Sequence, residues 1–442
     1  MGRNNIEKFS KRYAILKSIF KIWHNNFFYR RVIVLGRDNI NPEDNLIFAP
    51  NHQNALMDAL AVLFTLKGQP VFLARADVFK KKFIASILYS FKILPVYRIR
   101  DGYGTLKEND EIFKKTIDVL KNRNGLVILP EGNHEGFRRL RQLKKGICRI
   151  AFQADDATEN KLPIKIIPVG LEYSNYQRFR QVLTVVYGKP IPISEYRDAY
   201  KDKPETALVQ LRDRLSDEMK KIMVHIESEE DYDAINELRS IINEPYSDNL
   251  RFPKLFRDKV LIEKLNRTQD NDPKLYKKII GLTLSVKENS QLLNIDYRLL
   301  RKKKHTLFRL IAGILSLIAT FPLFLFGNIF SLTFLDLSDL SIRNIKDKQF
   351  HSSIRYGASL ILMFIFTPIY LILSFVLFSP WWLSIAVFLS LPFSGLFTWH
   401  YYLWLRRIRG GFRVKNYIKK GDSDYMKLKE EFDHLVSLVR SL

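Results

Sequence analysis

Residues 45–58 read NLIFAPNHQNALMD, an apolar run of strand length followed at once by a polar turn and then by an apolar helical pattern. The run at 45–50 is short, apolar and ends in Pro50, which predicts a buried strand. Residues 54–66 are largely apolar and long enough for three turns, which predicts a helix. The stretch therefore predicts a strand, turn and helix in succession, with polar side chains gathered on the turn.

The same alternation of short apolar runs and helix-length stretches continues on both sides of this unit. Strands are predicted at 31–36, 45–50, 70–75, 92–98, 125–132, 164–173 and 181–191, and helices at 54–66, 77–91, 108–122 and 142–154. Strands that alternate with helices favour a largely parallel sheet with helices on both faces. We therefore expect an α/β domain over residues 30–228, closed by a helix at 205–226.

The first 29 residues are predicted to form a basic amphipathic helix. Lys and Arg are interspersed with apolar residues that recur mostly at three- and four-residue steps, namely Ile6, Phe9, Tyr13, Leu16, Phe20, Trp23 and Phe27. Such a helix suits the surface of an anionic membrane. The alternative is a helix packed on the core of the domain itself.

Two long apolar runs late in the chain predict membrane spans. No charged residue occurs from Leu310 to Leu335 or in the 50 residues from Tyr356 to Leu405. Both runs exceed the roughly 20 residues that a spanning helix needs. The second run is long enough for two spans that turn near Ser379-Pro380. Basic residues flank both runs on every side, so both runs return to the cytoplasm if positive residues stay inside. The first run is then a short re-entrant hairpin, and the alternative is one tilted span that breaks this rule.

These patterns divide the chain into five segments. The membrane-surface helix covers 1–29 and the α/β domain 30–228, and a charged, helix-rich segment covers 229–304. A transmembrane region is expected at 305–408, followed by a cytosolic helix at 409–442. This organisation predicts an integral protein of the cytoplasmic membrane whose α/β domain lies in the cytosol.

Composition narrows the classes of function. The chain has 442 residues with 71 Lys and Arg against 46 Asp and Glu, a formal charge of +25, and one cysteine, Cys148. A single thiol excludes a disulfide framework and a cysteine-based structural zinc site. The positive charge fits either nucleic acid or anionic lipid. Because the chain contains no zinc-ligand, recognition-helix or aromatic RNA-reading signature, we expect a phospholipid membrane and not nucleic acid as the partner.

The polar turn after residue 50 carries the first candidate catalytic pair, His52 and Asp58. A histidine at such a turn can act as a general base near neutral pH, and a carboxylate within reach orients its ring. No Ser or Cys in this segment could act as the nucleophile of the enzyme. The hydroxyl that His52 activates is therefore expected to belong to the substrate.

A second polar segment, LPEGNHEG at 129–136, also follows a predicted strand. Six basic residues and no acidic one then lead into a predicted helix, namely Arg138, Arg139, Arg141, Lys144, Lys145 and Arg149. Arginine side chains and a helix N-terminus both suit a phosphate group. Arg98, at the end of the run LPVYR, is a further candidate. A solvated face or an ordinary ion pair is the alternative for these charges.

These segments, in this order, resemble the glycerophospholipid acyltransferase family. The family's first block, Asn-His, four residues and Asp, resembles NHQNALMD, and its second, which ends in Arg, resembles LPVYR. Its third, usually Phe-Pro-Glu-Gly-Thr-Arg, resembles LPEGNH with QLKKGICRIA behind it, and its fourth resembles IKIIPVG. The stretch VGLEYSNYQRFRQVLTVVYGKPI further resembles the branch that acylates glycerol 3-phosphate or dihydroxyacetone phosphate.

The resemblance implies a membrane-bound O-acyltransferase of phospholipid biosynthesis. Its acyl donor is acyl-CoA or acyl carrier protein, its acceptor is glycerol 3-phosphate, dihydroxyacetone phosphate or 1-acylglycerol 3-phosphate, and neither a cofactor nor a metal is expected. His52, oriented by Asp58, removes the proton of the acceptor hydroxyl. The residues implied for acceptor binding are Arg98, Glu131, Gly132, Asn133, Arg138, Arg139 and Lys144.

The sequence departs from the family pattern at three places. Five residues instead of four separate His52 from Asp58, so the two side chains would point apart if the residues between them were already helical. Asn133 and His134 replace the usual Thr and Arg, and Leu94 replaces a frequent Gly. Because the first departure falls on the catalytic pair, a catalytically inactive membrane-anchoring protein is the alternative reading.

Overall fold

The alternating apolar runs form a mixed, mostly parallel sheet. The computed structural model describes residues 5–96, 106–243, 253–301 and 306–442. Within these ranges eight strands make up the sheet: β1 (Tyr29–Leu35), β2 (Asn45–Pro50), β3 (Val71–Arg75), β4 (Ile93–Val96), β5 (Leu126–Val127), β6 (Ile164–Tyr173), β7 (Gln181–Tyr187) and β8 (Ile191–Pro192). The predicted α/β class is confirmed. The strand predicted at 125–132 is shorter than expected, because a turn in which the N–H of Gly132 bonds to the carbonyl of Leu129 occupies its second half.

Strand order explains where the site lies. The order is β1-β7-β6-β2-β5-β3-β4, with β8 paired to β6. Strands β6, β2, β5, β3 and β4 are parallel, whereas β7 and β8 run antiparallel to β6. Because β2 lies between β5 and β6, the carboxyl ends of these three strands are adjacent at one edge of the sheet. Residues that follow β2 and β5, and those that end β6, therefore meet there.

Helices cover both faces of the sheet. The helices of this part of the chain are α1 (Lys11–Ile22), α2 (Leu56–Thr65), α3 (Lys82–Ser90), α4 (Leu106–Lys121), α5 (Gly146–Asp156), α6 (Arg197–Asp202) and α7 (Pro204–Ile222). Ile47 and Ala49 of β2 are buried in one core cluster with residues of α4, α5 and α7. Phe48, between them, faces the other side of the sheet. There its ring packs against Tyr187, which is hydrogen-bonded to Thr65 of α2.

The described chain forms two compact units. The first consists of residues 1–225 together with Lys346–Ser353, and the second consists of Ile226–Ile345 and Ile354–Leu442. The remaining helices are α8 (Tyr232–Ile242), α9 (Lys254–Asn271), α10 (Pro273–Leu292), α11 (Tyr297–Leu300), α12 (Leu307–Ala319), α13 (Phe321–Ser331), α14 (Leu337–Leu340), α15 (His351–Leu377), α16 (Trp381–Lys420) and α17 (Ser423–Ser441).

In the described residues, three helical stretches are long and apolar enough to cross a membrane: Phe321–Leu340, Lys348–Leu377 and Trp381–Lys420. The predicted turn near Ser379-Pro380 separates the last two of them. The first apolar run breaks at Thr320, just before Phe321-Pro322, because proline starts a new helix more easily than it continues one. That break leaves α12 as a shorter apolar helix of 13 residues.

Small residues allow α13 and α16 to approach closely. A Cβ atom added to Gly327 would lie 2.1 Å from the carbonyl oxygen of Ser394, and one added to Gly395 would lie 2.4 Å from the ring of Phe330. The hydroxyl of Thr398 also donates to the carbonyl of Phe324 at 3.2 Å. Glycine and hydroxyl side chains are typical of contacts between apolar helices in membranes.

Candidate active site

The turn after β2 brings His52 and Asp58 into hydrogen-bonding contact. The Nδ1 atom of His52 lies 3.0 Å from Oδ2 of Asp58. The side chain of Asp58 is fully buried, whereas 17% of the His52 side chain is exposed. Since a carboxylate can only accept here, Nδ1 carries the proton and Nε2 is left as the basic nitrogen. The arrangement supplies an oriented general base at the edge of the sheet.

The extra residue between His52 and Asp58 is accommodated outside the helix. Helix α2 begins at Leu56, after Ala55, which has φ 44° and ψ −127°. This conformation ordinarily requires glycine. Asp58, in the first turn of α2, reaches back and accepts hydrogen bonds of 2.7 Å from the backbone N–H groups of Gln53 and Asn54. The condition under which the pair would point apart is therefore absent, because residues 53–55 are not helical.

Tyr173 holds the second oxygen of Asp58. Its hydroxyl, at the carboxyl end of β6, donates to Oδ1 of Asp58 over 2.8 Å, and both side chains are buried. Burial, together with the nearby charge of Asp58, raises the pKa of Tyr173 well above its ordinary value, so this hydroxyl stays a donor. No local sequence pattern distinguishes Tyr173 as a functional residue. It lies 115 residues from Asp58 and closes an apolar strand pattern that predicts only a core residue.

Glu131 fixes the backbone beside the base. Its Oε1 accepts the N–H of His52 at 2.7 Å, and its Oε2 accepts the backbone N–H and Nε of Arg141, both at 3.3 Å. Burial raises the pKa of Glu131, while the hydrogen bonds and the charge of Arg141 act in the opposite direction. The turn that presents Glu131 ends at Gly132, whose φ of 70° suits glycine. The polar segment at 129–136 thus lies beside the turn that carries His52.

His134 is a second histidine at this edge. Its ring centroid lies 5.1 Å from that of His52, and the residue is partly exposed. Burial, the largest cause, and the neighbouring His52 lower the pKa of His134 below its ordinary value of 6.5, so the ring tends towards the neutral form. Asn133, next to it, is exposed. Both residues are therefore placed where a small polar ligand could reach them.

The basic run separates into two groups. Arg138 is buried, donates 2.8 Å to Glu172 and 2.6 Å to the carbonyl of Tyr173, and stacks 4.6 Å from the centre of the Tyr176 ring. Those contacts engage its guanidinium within the protein. Arg141 pairs with Glu131 and Glu135, and both Lys145 and Arg149 pair with Glu205.

Arg139 and Lys144 form the other group. Arg139 is partly exposed and Lys144 is exposed, and both lie on the irregular stretch between β5 and α5. Arg98, the remaining candidate for a phosphate, lies outside the described residues.

Metal ligands and the single thiol are two further features to consider. No group of three or more His, Cys, Asp or Glu side chains in these ranges is arranged to hold a metal ion. Cys148 is buried in α5, and burial raises the pKa of its thiol to about 12. A thiol in that state is a poor nucleophile at neutral pH.

Comparisons with known proteins point to acyltransferases. Residues 31–172 match the family described as Acyltransferase. Over 134 residues the chain is 27% identical to glycerol-3-phosphate O-acyltransferase 2 of Saccharomyces cerevisiae, which covers 30% of this chain and 18% of the relative. Over 176 residues it is 25% identical to glycerol-3-phosphate O-acyltransferase 1 of the same yeast, covering 39% and 23% respectively. The chain thus spans about a fifth of the length of these curated relatives.

One solved structure was also similar. The crystal structure of the 1-acyl-sn-glycerophosphate acyltransferase PlsC from Thermotoga maritima aligns with 50% of this chain and 77% of its own, at 21% identity and a TM-score of 0.31.

Residues 31–172 match the acyltransferase family, and this part of the chain is distantly similar to glycerolipid acyltransferases. The matched residues, 31–172, include His52, Asp58, Glu131 and Gly132. The resemblance inferred from four short sequence blocks is therefore confirmed at the level of the family.

Proposed function

We propose that this chain is a membrane-bound O-acyltransferase that transfers a fatty acyl group from a thioester to a hydroxyl of a glycerol phosphate. The observation that carries the proposal is the 3.0 Å contact between Nδ1 of His52 and Oδ2 of Asp58. This contact leaves Nε2 of a partly exposed imidazole as the base. The inactive anchoring alternative rested on the five-residue spacing, and the turn at Ala55 removes that objection.

The reaction follows from the chemistry of the pair. Nε2 of His52 takes the proton of the acceptor hydroxyl while the hydroxyl oxygen attacks the thioester carbonyl carbon. The tetrahedral intermediate collapses by breaking the carbon–sulfur bond, and the imidazolium returns its proton to the departing thiolate. The products are an ester and a free thiol. Asp58, fixed by Tyr173 and by two backbone N–H groups, orients the ring and stabilises its positive charge.

The acceptor phosphate is assigned to two basic side chains that are at least partly exposed, Arg139 and Lys144, and to Arg98 on the family resemblance alone. We infer that Arg139 and Lys144, together with Arg98, neutralise it, and that Asn133 and the Gly132 turn shape the acceptor site. Arg138 is left out of this set because Glu172 and the carbonyl of Tyr173 already engage its guanidinium. Moving a buried arginine from such a pair to a ligand would leave the carboxylate of Glu172 without its charged partner.

Glycerol 3-phosphate or dihydroxyacetone phosphate is the acceptor that we favour, with 1-acylglycerol 3-phosphate as the alternative. The stretch from 169 to 191 resembles the branch of the family that acylates glycerol 3-phosphate or dihydroxyacetone phosphate. Both yeast relatives also carry glycerol 3-phosphate in their names. The apolar helices suit a product that partitions into lipid. Basic residues around the apolar runs support a catalytic unit on the cytosolic side of the membrane.

Pairing donors with acceptors tests this function. Membranes from cells that express the full chain, and from cells with an empty vector, receive labelled glycerol 3-phosphate, dihydroxyacetone phosphate or 1-acylglycerol 3-phosphate, each with acyl-CoA or acylated carrier protein. We expect lipid-soluble label above the vector background from one acceptor class. If folded, inserted protein yields no label from any pairing, the proposed function is wrong.

A further inference from the structure

A segment far along the chain takes part in the catalytic unit. Residues Lys346–Ser353, called here the 346–353 segment, belong to the same compact unit as His52, although almost 300 residues separate them in sequence. Asp347 caps the short 3₁₀ helix Lys348–Phe350, because its side chain accepts the N–H of Gln349 at 3.0 Å. Helix α15 then begins at His351 and continues into an apolar stretch.

The segment contacts both histidine-bearing turns. The ring of Phe350 meets the ring of His134 edge to face, with centroids 4.9 Å apart, and His134 lies 5.1 Å from His52. The hydroxyl of Ser352 donates to Oδ1 of Asn54 over 2.6 Å. Ser352 is 2% exposed and Asn54 1%, so this hydrogen bond is shielded from water.

Asn54 connects that hydrogen bond to the catalytic carboxylate. Its backbone N–H donates to Oδ2 of Asp58 at 2.7 Å, the same oxygen that contacts His52. Its side-chain amide also donates to the carbonyl of Tyr176 at 3.4 Å. The next residue, Ala55, has a backbone conformation that an alanine rarely adopts. Such a conformation persists only when its surroundings hold it in place, and Ser352 supplies part of that restraint.

We propose that Ser352 is a positioning residue for the transfer reaction: through Asn54 it holds the turn that places Asp58 against His52. The proposal rests on the proposed function for its kinetic consequence only. The hydroxyl of Ser352 bonds to Asn54 and not to His52, so Ser352 acts through the turn. The sequence that opens α15 is accordingly part of the active-site framework as well as the start of an apolar helix.

Removing the hydroxyl is expected to lower turnover and to leave substrate binding unchanged. In Ser352→Ala the buried Oδ1 of Asn54 loses its donor, and the turn can relax away from the geometry that orients His52. We expect kcat to fall about tenfold, which corresponds to roughly 1.4 kcal/mol of barrier. The KM values for donor and acceptor should change by less than about twofold, because the variant disturbs the orientation of His52 and removes no contact with either substrate.

Ser353→Ala is the matched control. Ser353 is the next residue, is 8% exposed, and its hydroxyl has no hydrogen-bond partner in the described part of the chain. Its kcat should stay at the wild-type value, and Ser352→Thr, which keeps a hydroxyl, should recover most of the activity. An equal kcat in wild type and Ser352→Ala, an equal fall in both alanine variants, or a change confined to KM overturns the proposal.

Hydrogen exchange of the purified full chain supplies a readout that needs no activity. The amides of Gln53 and Asn54 are bonded to Asp58, so a loosened turn exposes them to exchange. A peptide spanning residues 51–57 should exchange at least threefold faster in Ser352→Ala than in wild type or Ser353→Ala. Unchanged exchange overturns the positioning role even if the wild type transfers no acyl group, which separates this failure from that of the proposed function.

Ser352→Cys is the second variant, for the case that Ser352→Ala accumulates poorly. Cysteine keeps the volume and replaces the hydroxyl by a weak donor. Its exchange and kcat should lie between those of wild type and the values expected for alanine. Wild-type values in both measurements contradict the proposal.

Discussion

The carboxylate oxygen Oδ2 of Asp58 lies 3.0 Å from Nδ1 of His52 although five residues separate the two in sequence. The contact forms because the chain between them is a turn and not the start of a helix. Oδ2 accepts three donors at once, the ring N–H of His52 and the backbone N–H groups of Gln53 and Asn54. The spacing that differs from the family pattern is thus compatible with the geometry that general-base catalysis needs.

Ala55 is the residue that makes this turn possible, and its backbone gives the first prediction. Ala55→Gly relieves a conformation that costs about 1–3 kcal/mol, but loses about 0.8 kcal/mol of methyl burial and adds freedom to the unfolded chain. These effects nearly cancel, so we expect a thermal unfolding midpoint within a few degrees of wild type and unchanged kcat. Ala55→Val should lower both, since a β-branched side chain tolerates φ 44° poorly. Equal midpoints for the glycine and valine variants would argue against the turn.

Tyr173 should matter for turnover. Tyr173→Phe deletes the hydroxyl that donates to Oδ1 of Asp58, a hydrogen bond to a buried carboxylate worth about 1.5–3 kcal/mol. We expect kcat to fall tenfold or more with little change in KM. Tyr187→Phe is the control, because it removes an equally buried hydroxyl that bonds to Thr65 instead of the catalytic pair. It should lower the unfolding midpoint and spare kcat. The same kinetic loss in both variants would remove Tyr173 from the site.

The pH dependence of stability should report on His134. Burial lowers the pKa of His134, so between that lowered value and the unfolded value of 6.5 the unfolded chain binds more protons than the folded one. The contribution of His134 to the free energy of unfolding is therefore fully present above pH 6.5. It declines as the pH falls through 6.5 towards the pKa of the folded state. His134→Asn should flatten the fall of the unfolding midpoint between pH 7.5 and 5.5. His434→Asn, an exposed histidine of α17, should leave it unchanged. A wild-type slope in His134→Asn contradicts the assignment.

Close packing of α13 on α16 gives a prediction about the apolar helices. Gly327→Leu places a side chain where even a Cβ would lie 2.1 Å from backbone, so we expect a large loss of folded, detergent-extractable protein. Gly357→Leu is the matched control on α15, because a Cβ there meets no atom within 4 Å. This variant should be extracted by detergent in the same yield as wild type and should elute at the same volume in size-exclusion chromatography. Similar yields from both variants would show that α13 and α16 do not pack in this way.

The fold was largely predictable because its pattern is local. Each parallel strand appears in the sequence as a short apolar run with a helix-length stretch behind it, so NLIFAP and IKIIPVGLEY indicate β2 and β6 directly. Position along the chain also marks His52, Asp58 and Glu131 as candidates, since each lies at or just beyond a turn that follows a strand. What local pattern could not provide is which strands are neighbours, and that order brings these residues together.

Hydrogen-bond partners that are far apart in the chain could not be predicted, because a local pattern does not show which residues become neighbours. Tyr173 reads as the end of a core strand, and Ser352 as one of two serines before an apolar helix. Their hydrogen bonds reach residues 115 and 298 positions away. The run of six basic residues predicts Arg138 as a candidate for phosphate binding together with its neighbours. Its partner, Glu172, lies on β6, and only the packed structure shows that this charge is compensated internally.

The role of His52 as general base is tested most directly by acyl transfer in membranes that contain wild type, His52→Ala or His434→Ala. Each protein is quantified and shown to be inserted. General-base catalysis contributes about 10²–10⁴-fold, so His52→Ala should lose at least a hundredfold in transfer to the glycerol phosphate acceptor while remaining in the membrane fraction. His434→Ala, an exposed histidine on α17, should retain wild-type rates. Wild-type transfer by His52→Ala would contradict the assignment of the base and, with it, the mechanism.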